Sequence, residues 1–279
     1  MRHYVIVLAV FMMLMASCGG NKSGSSHNEA SVDTTAQADP LAIDSLPEIT
    51  GDIPMPKAAD ELFDDFVFNF AANRRLQMER VAFPLSVIKE GKEEKLQKSQ
   101  WQMEYFFMKQ DYYTLLFDSE QHMEIVKDTS VRHAVVEKIF FESSSVRQYV
   151  FNRLRGAWML TSMRTIPISQ SSNASFLEFY HQFASDVDFQ QKHLAETVKF
   201  VGPDPDDDFS QMEGDITPDT WGAFAPELPS GMIYNIIYGQ PHKEGNTKLF
   251  VLRGIANGME LELTFRKVNG QWKLHKFTT

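Results

Sequence analysis

The chain has 279 residues, 43% of them hydrophobic and 22 of them phenylalanine, enough apolar material for a substantial buried core and too much for a disordered protein. Its formal net charge is −10, with the acidic excess in residues 18–56 and 171–279. No basic stripe is available to hold a phosphate backbone, so nucleic acid is not an expected partner. The single cysteine, Cys18, excludes a disulfide within the chain.

The first segment reads as an export signal. Arg2 precedes an apolar run over residues 4–16, too short to span a bilayer, which needs about 20 residues. Leu14, Met15, Ala16, Ser17 and Cys18 follow, and this run resembles the bacterial lipobox, with Met15 standing where leucine is usual. The resemblance implies a signal peptide over 1–17, acylation of Cys18, and the membrane as a partner. It also accounts for a lone thiol in an exported chain. Each buried acyl methylene contributes about 0.8 kcal/mol, so a multiply acylated cysteine is a durable anchor. Residues 18–56 are rich in Gly, Ser, Ala, Asp and Pro and carry no aromatic residue, which predicts a disordered tether. Surface-exported lipoproteins of some anaerobic Gram-negative bacteria carry acids directly after the cysteine. Here the first acid is Glu29, so the expected address is the outer membrane, facing the periplasm.

The rest of the chain reads as one sequence written twice. Phe63, Phe66, Phe70 and Ala71 are answered by Phe176, Phe179, Phe183 and Ala184; Phe151, Arg153, Gly156, Trp158 and Leu160 are answered by Phe265, Lys267, Gly270, Trp272 and Leu274. All four tryptophans fall into matched pairs, Trp101 with Trp221 and Trp158 with Trp272. The repeat of about 110 residues is domain-sized. It predicts two domains, 57–170 and 171–279. Residues 113–117 (Tyr-Thr-Leu-Leu-Phe) match 234–238 (Tyr-Asn-Ile-Ile-Tyr), an offset of 121.

Within each copy, helices precede strands. Phenylalanines at helical spacing predict helices over 60–72 and 175–184, the second capped by Ser175 with Glu178 three residues on, and a short helix follows each. Lys92, Glu93, Glu94, Lys95 and Lys98 read as an exposed helical face. Strands are expected over 112–117, 131–141, 146–154 and 157–166, then over 232–238, 247–255, 259–268 and 271–277. Asn269-Gly270 is a strong hairpin signal, and Arg155-Gly156 holds the same place. This order indicates an α+β class: two tandem domains, each with N-terminal helices packed on one face of a curved antiparallel sheet.

A domain of this size, opening with helices and closing in Phe-x-(Arg/Lys)-x-x-Gly-x-Trp-x-Leu, resembles the nuclear-transport-factor-2-like cone fold. Two of them behind a lipobox resemble a family of bacterial lipoproteins with no assigned function. The resemblance implies two tandem cone-like domains, each a strongly curved antiparallel sheet wrapped on its N-terminal helices with a pocket at the wide end.

Trp158 and Trp272 read as core. Trp101, Tyr113, Trp221 and Tyr234 are the candidate pocket-lining residues. No catalytic set stands out: Asp111, Tyr112, Tyr113, His122 and His133 are the acids, phenols and imidazoles within reach of a first pocket, and none forms a recognised motif. No zinc spacing, nucleophile elbow or phosphate-binding glycine loop occurs, so neither a metal nor a cofactor is expected. The acids at 204 and 206–208 read as a solvated loop, since Phe209 stands where a calcium loop needs glycine. Because the copies share packing rather than polar chemistry, the expected function is that of a lipid-anchored, non-catalytic module binding a small molecule or a protein. The alternative is an isomerase- or hydrolase-type enzyme using the first pocket.

Overall fold

Phenylalanines spaced three and four apart make the longer helix of each half. A computed structural model describes residues 60–240 and 244–279, apart from the side chain of Asp208. The export signal, Cys18 and the tether 18–56 lie outside the described residues. Helix α1 (Phe63–Ala72) buries Phe63, Phe66, Val67 and Phe70, and helix α3 (Ala174–Ser185) buries Phe176, Leu177, Tyr180 and Phe183. Each is followed by a short helix, α2 (Arg74–Arg80) or α4 (Val187–Lys192). Both short helices are capped alike. The Asn73 side chain accepts from the Leu76 N–H at 3.1 Å, and Asp186 accepts from the Phe189 N–H at 3.0 Å. The expected cap at Ser175 is not the one used. The Phe176 N–H donates to the Glu244 carboxylate at 2.9 Å, which leaves the Ser175 hydroxyl to accept from the Trp272 indole at 3.1 Å.

The strands are β1 (Val81–Lys89), β2 (Lys92–Leu96), β3 (Tyr112–Phe117), β4 (His133–Phe140), β5 (Ser145–Leu154) and β6 (Ala157–Pro167) in the first half. In the second they are β7 (Leu194–Asp204), β8 (Asp207–Ile216), β9 (Met232–Tyr238), β10 (Thr247–Gly254), β11 (Glu260–Val268) and β12 (Gln271–Thr278). The charged run at 92–95 is therefore a strand, not a helical face. Glu90 and Gly91 both have positive φ, 52° and 75°, the backbone of a tight hairpin turn, and Lys95 pairs with Glu93 two residues away on one face of β2. The acids at 204–208 belong to the equivalent hairpin. Asp204 accepts from the Asp206 N–H and the Ser210 hydroxyl, and Asp207 accepts from the Phe209 N–H, so these carboxylates close the tip.

The twelve strands among the described residues join one curled sheet in the order β2-β1-β6-β5-β4-β9-β3-β10-β11-β12-β7-β8. The third strand of each half has crossed over: β9 pairs with β4, and β3 pairs with β10. The two exchanged strands run parallel to each other at the centre. The chain position 170/171 falls between β6 and α3, and the sheet is not interrupted there.

The ladders also fix how the halves correspond. Val136 lies opposite Tyr149 and Ile236, while Phe250 lies opposite Leu263 and Leu116. Leu116 is thus the counterpart of Ile236, an offset of 120, and the sequence match at 121 is off by one. Since a one-residue slip reverses every side chain, Tyr113 and Tyr234 are not equivalent. Both face the first of two buried cores, and Tyr234 corresponds to Thr114.

Each core draws on both halves. The first gathers α1 with Phe151 and Trp158 and is closed by Tyr234, Ile236, Tyr238, Leu249 and Val251. The second gathers α3 with Phe265 and Trp272 and is closed by Leu116, Ile139, Phe141 and Val146. The matched aromatics take like places. Phe70 meets Phe151 edge-on at 5.4 Å and Phe183 meets Phe265 edge-on at 5.1 Å; Phe63 meets Trp158 at 4.9 Å and Phe176 meets Trp272 at 5.4 Å.

Candidate functional site

The exchanged strand β9 completes a polar cluster at the first core. Cross-strand pairing sets Lys138 of β4 between Arg147 of β5 and Tyr234 of β9, one lateral row, with Tyr149 two residues along β5 on the same face. Glu104, from the loop between β2 and β3, brings its carboxylate to this row. It accepts from the Tyr149 hydroxyl at 2.6 Å, from the Tyr234 hydroxyl at 3.5 Å and from the Phe106 backbone N–H at 3.4 Å, and the Lys138 ammonium stands at 3.7 Å. The same ammonium lies 5.2 Å over the Tyr234 ring. Burial and the adjacent Glu104 charge push both phenols well above the usual tyrosine range, so each remains a protonated donor.

The Glu104 loop is positioned by one buried amide. Gln77 of α2 donates to the carbonyls of Phe70 at 2.9 Å and Glu104 at 2.7 Å, and accepts from the Glu104 N–H at 3.1 Å and the Trp101 indole at 3.2 Å. The second half repeats the core of this device. Gln190 donates to Phe183 at 2.8 Å and accepts from the Trp221 indole at 2.8 Å. The polar row is not repeated. Where the row at the first core has Arg147, Lys138 and Tyr234 in register, the row at the second has Leu261, Leu252 and Thr114. Tyr149 corresponds to Leu263, and Glu104, three residues beyond Trp101, to Phe224, three beyond Trp221.

Two further carboxyls are held by polar side chains. The Tyr238 hydroxyl donates to Asp64 at the start of α1, where burial raises the Asp64 pKa against the pull of that bond and of Arg253. On the opposite face of β4, Glu137 is fully buried, accepting from the Gln148 amide at 2.7 Å and the Asn235 amide at 3.0 Å. Burial likewise raises its pKa.

Residues 42–279 match the family described as a domain of unknown function, DUF4348. The chain belongs to this family. No curated protein matches it. Among solved structures, an NTF2-like protein from Bacteroides fragilis is 41% identical, with a TM-score of 0.72, covering 81% of this chain and 98% of that one. The likeness supports an NTF2-like α+β fold for this DUF4348 chain.

The four candidate pocket residues separate. Trp101, Tyr113 and Tyr234 belong to the first core, and Trp221 is fully buried in the second, its ring 6.0 Å from Phe277. The half-buried Trp101 meets Phe83 edge-on, and Tyr113 lies against Phe68 and Phe107, both at 5.4 Å. Of the four, Tyr234 has its hydroxyl on the Glu104 carboxylate. Asp111 is exposed, Tyr112 packs toward the second core, His133 bonds Asn152, and the His122 ring lies 6.2 Å from Phe117. Glu104, Lys138, Arg147 and Tyr149 were not foreseen, although a signal existed: the last three stand at period-two positions that are leucine in the other copy. Among the described residues no group of three or more His, Cys, Asp or Glu is arranged to hold a metal ion, and no helix is long and apolar enough to cross a membrane.

Proposed function

We propose that this DUF4348 chain is a non-catalytic binding module of the cell envelope, held to the membrane by acylated Cys18, with its ligand site at Glu104, Lys138, Arg147, Tyr149 and Tyr234. One observation carries the reading: the first core bears this polar row, and the corresponding places at the second hold Leu252, Leu261, Leu263, Thr114 and Phe224. The fold does not need the row, since the second core packs without it, so its desolvation cost is offset by something other than stability.

The test of the site is a thermal-shift screen of small molecules on the full chain, repeated with Lys138→Met and Tyr149→Phe. A ligand that raises the melting temperature of the parent by several degrees should lose that effect in both variants. Ligands indifferent to both would remove the site from this cluster. Anchoring is tested separately. The parent should take up labelled palmitate and enter the detergent phase, whereas Cys18→Ser should do neither.

A second reading rests on the same geometry. In an isomerase-type enzyme Glu104 would act as the base and the two protonated phenols as oxyanion donors. Substrate turnover by the parent that is abolished in Glu104→Gln would establish it.

A further inference from the structure

We propose that the Glu104 cluster is a carboxylate site occupied by the chain's own Glu104 when no ligand is bound, so that the ligand is a small organic acid whose carboxylate displaces that side chain. The inference rests on the reading of the cluster as the ligand site and names its ligand class.

Three observations lead there. First, the donors around Glu104 form an anion cradle: two phenol O–H groups, one backbone N–H and the Lys138 ammonium converge on a single carboxylate, with Arg147 next in the row. Setting Glu104 aside, the remaining side chains of the cluster are two cations and two neutral donors, a surface that calls for an anion.

Second, the cradle stands on strands, whereas the carboxylate that fills it comes from a loop. The Glu104 backbone is fixed by Gln77 at both its N–H and its carbonyl, and its side chain keeps 23% of its exposure. Rotation about the side-chain bonds alone can carry the carboxylate to water, without moving the loop. A ligand carboxylate would then inherit all the donors, and Glu104 would exchange a desolvated position for a hydrated one.

Third, the loop carries backbone strain beside the cluster. Phe106 has φ of 47°, a left-handed conformation that a bulky L-residue adopts only under strain. Its ring is nonetheless buried 4.8 Å from Tyr149, and its N–H is thereby turned to the carboxylate. Tyr105 and Met108 on the same loop stay 43% and 38% exposed, apolar surface suited to the body of an organic acid.

Calorimetric titration of the parent, Glu104→Gln and Glu104→Ala with acetate, benzoate and glucuronate, against benzyl alcohol and glucose as neutral counterparts, tests this. Removing the internal anion should tighten binding of at least one acid tenfold or more and leave the neutral compounds unchanged. Adding Lys138→Met to Glu104→Ala should reverse the gain. Thermal melts of each variant establish that it is folded, and Glu104→Gln, which keeps the side-chain size, covers a folding failure of Glu104→Ala. Acids that bind the folded variants no better than the parent overturn the inference. If a neutral or cationic compound binds the parent and is lost in Glu104→Gln, the cluster stands as a ligand site but its class is not an acid. If nothing binds any variant, both readings fall.

Discussion

Gln77 and Gln190 hold matching places in the two halves; the Gln77 amide donates twice and accepts twice, and the Gln190 amide donates to Phe183 and accepts from Trp221. Replacing either with leucine orphans an indole N–H and a helix carbonyl. Unpaired buried groups cost roughly 1–3 kcal/mol each, so each replacement should lower stability by about 2–4 kcal/mol in urea melts. Only Gln77→Leu should also weaken ligand binding at the first core, because Gln77 alone holds the Glu104 backbone. Glu137 makes a different prediction. Its pKa is raised in the fold, so the native state binds its proton more tightly than the unfolded chain does, and its contribution to stability is complete at low pH. That contribution is lost as pH rises from the ordinary carboxylate pKa of about 4.3 through the raised one. Glu137→Gln should therefore be more stable than the parent at neutral pH, with the gap closing toward pH 4. The new amide can donate to the Asn235 carbonyl oxygen, which lacks a partner among the described residues, once the Asn235 amide turns over. Subtracting the two stability-pH curves isolates Glu137 from Asp64, whose shift has the same sign. A constant difference across the range would mean that Glu137 titrates alike in both states.

At the scale of elements, the two hairpins that end the halves invite a direct swap of information. Arg155 and Gly156 have φ of 53° and 86°, Asn269 and Gly270 have 52° and 80°, and nothing lies within 4 Å of a side chain added at either glycine. Both turns need a left-handed residue at each position, which asparagine adopts more readily than arginine. Arg155→Asn should raise stability by roughly 0.5 kcal/mol, and the reverse change at Asn269 should cost as much, read from denaturant midpoints at unchanged slope. These hairpins and the phenylalanine helices were legible because their signals are local: a glycine pair at a fixed place, an apolar stripe at 3.6 residues. The hairpins β1-β2 and β7-β8 were not, because Lys92, Glu93 and Lys95 carry charges whose spacing suits a helix as well as an edge strand, and Pro84 interrupts the strand pattern of β1. The offset of β3 against β9 was misread by one for a different reason. Both strands are buried on both faces, so they show no alternation to fix register, and the aromatic letters Tyr113 and Tyr234 match at the wrong place. The site suffered in turn, since Tyr234 has no tyrosine counterpart and Lys138, Arg147 and Tyr149 read as ordinary strand residues until the ladder aligned them.

The two halves are joined by the exchange of β3 and β9, which no local pattern announces because the edges of β4 and β10 hold corresponding places and offer the same kind of ladder. What distinguishes them is polar. Strand β9 is pinned to the first half by Tyr234 on Glu104 and Tyr238 on Asp64, whereas β3 is pinned to the second by Asp118 on the buried Lys248. Asp118 and Tyr238 stand at equivalent ends of the exchanged strands, so each strand carries a partner suited to the half it joins rather than to its own. A strand kept at home would put Asp118 against Ala134, the counterpart of Lys248, and leave a carboxylate facing an apolar wall. Residues 57–170 and 171–279 made as separate chains should therefore not be cooperatively folded monomers, each lacking its sixth strand and burying too little of its core. Mixed in equal amounts they should form a 1:1 complex with the circular dichroism and melting behaviour of the intact chain, weakened tenfold or more by Lys248→Met. Light scattering and amide spectra decide the matter. A folded monomer from either half alone would show that each can close on its own third strand, and the exchange would then be a consequence of linkage rather than of side-chain complementarity.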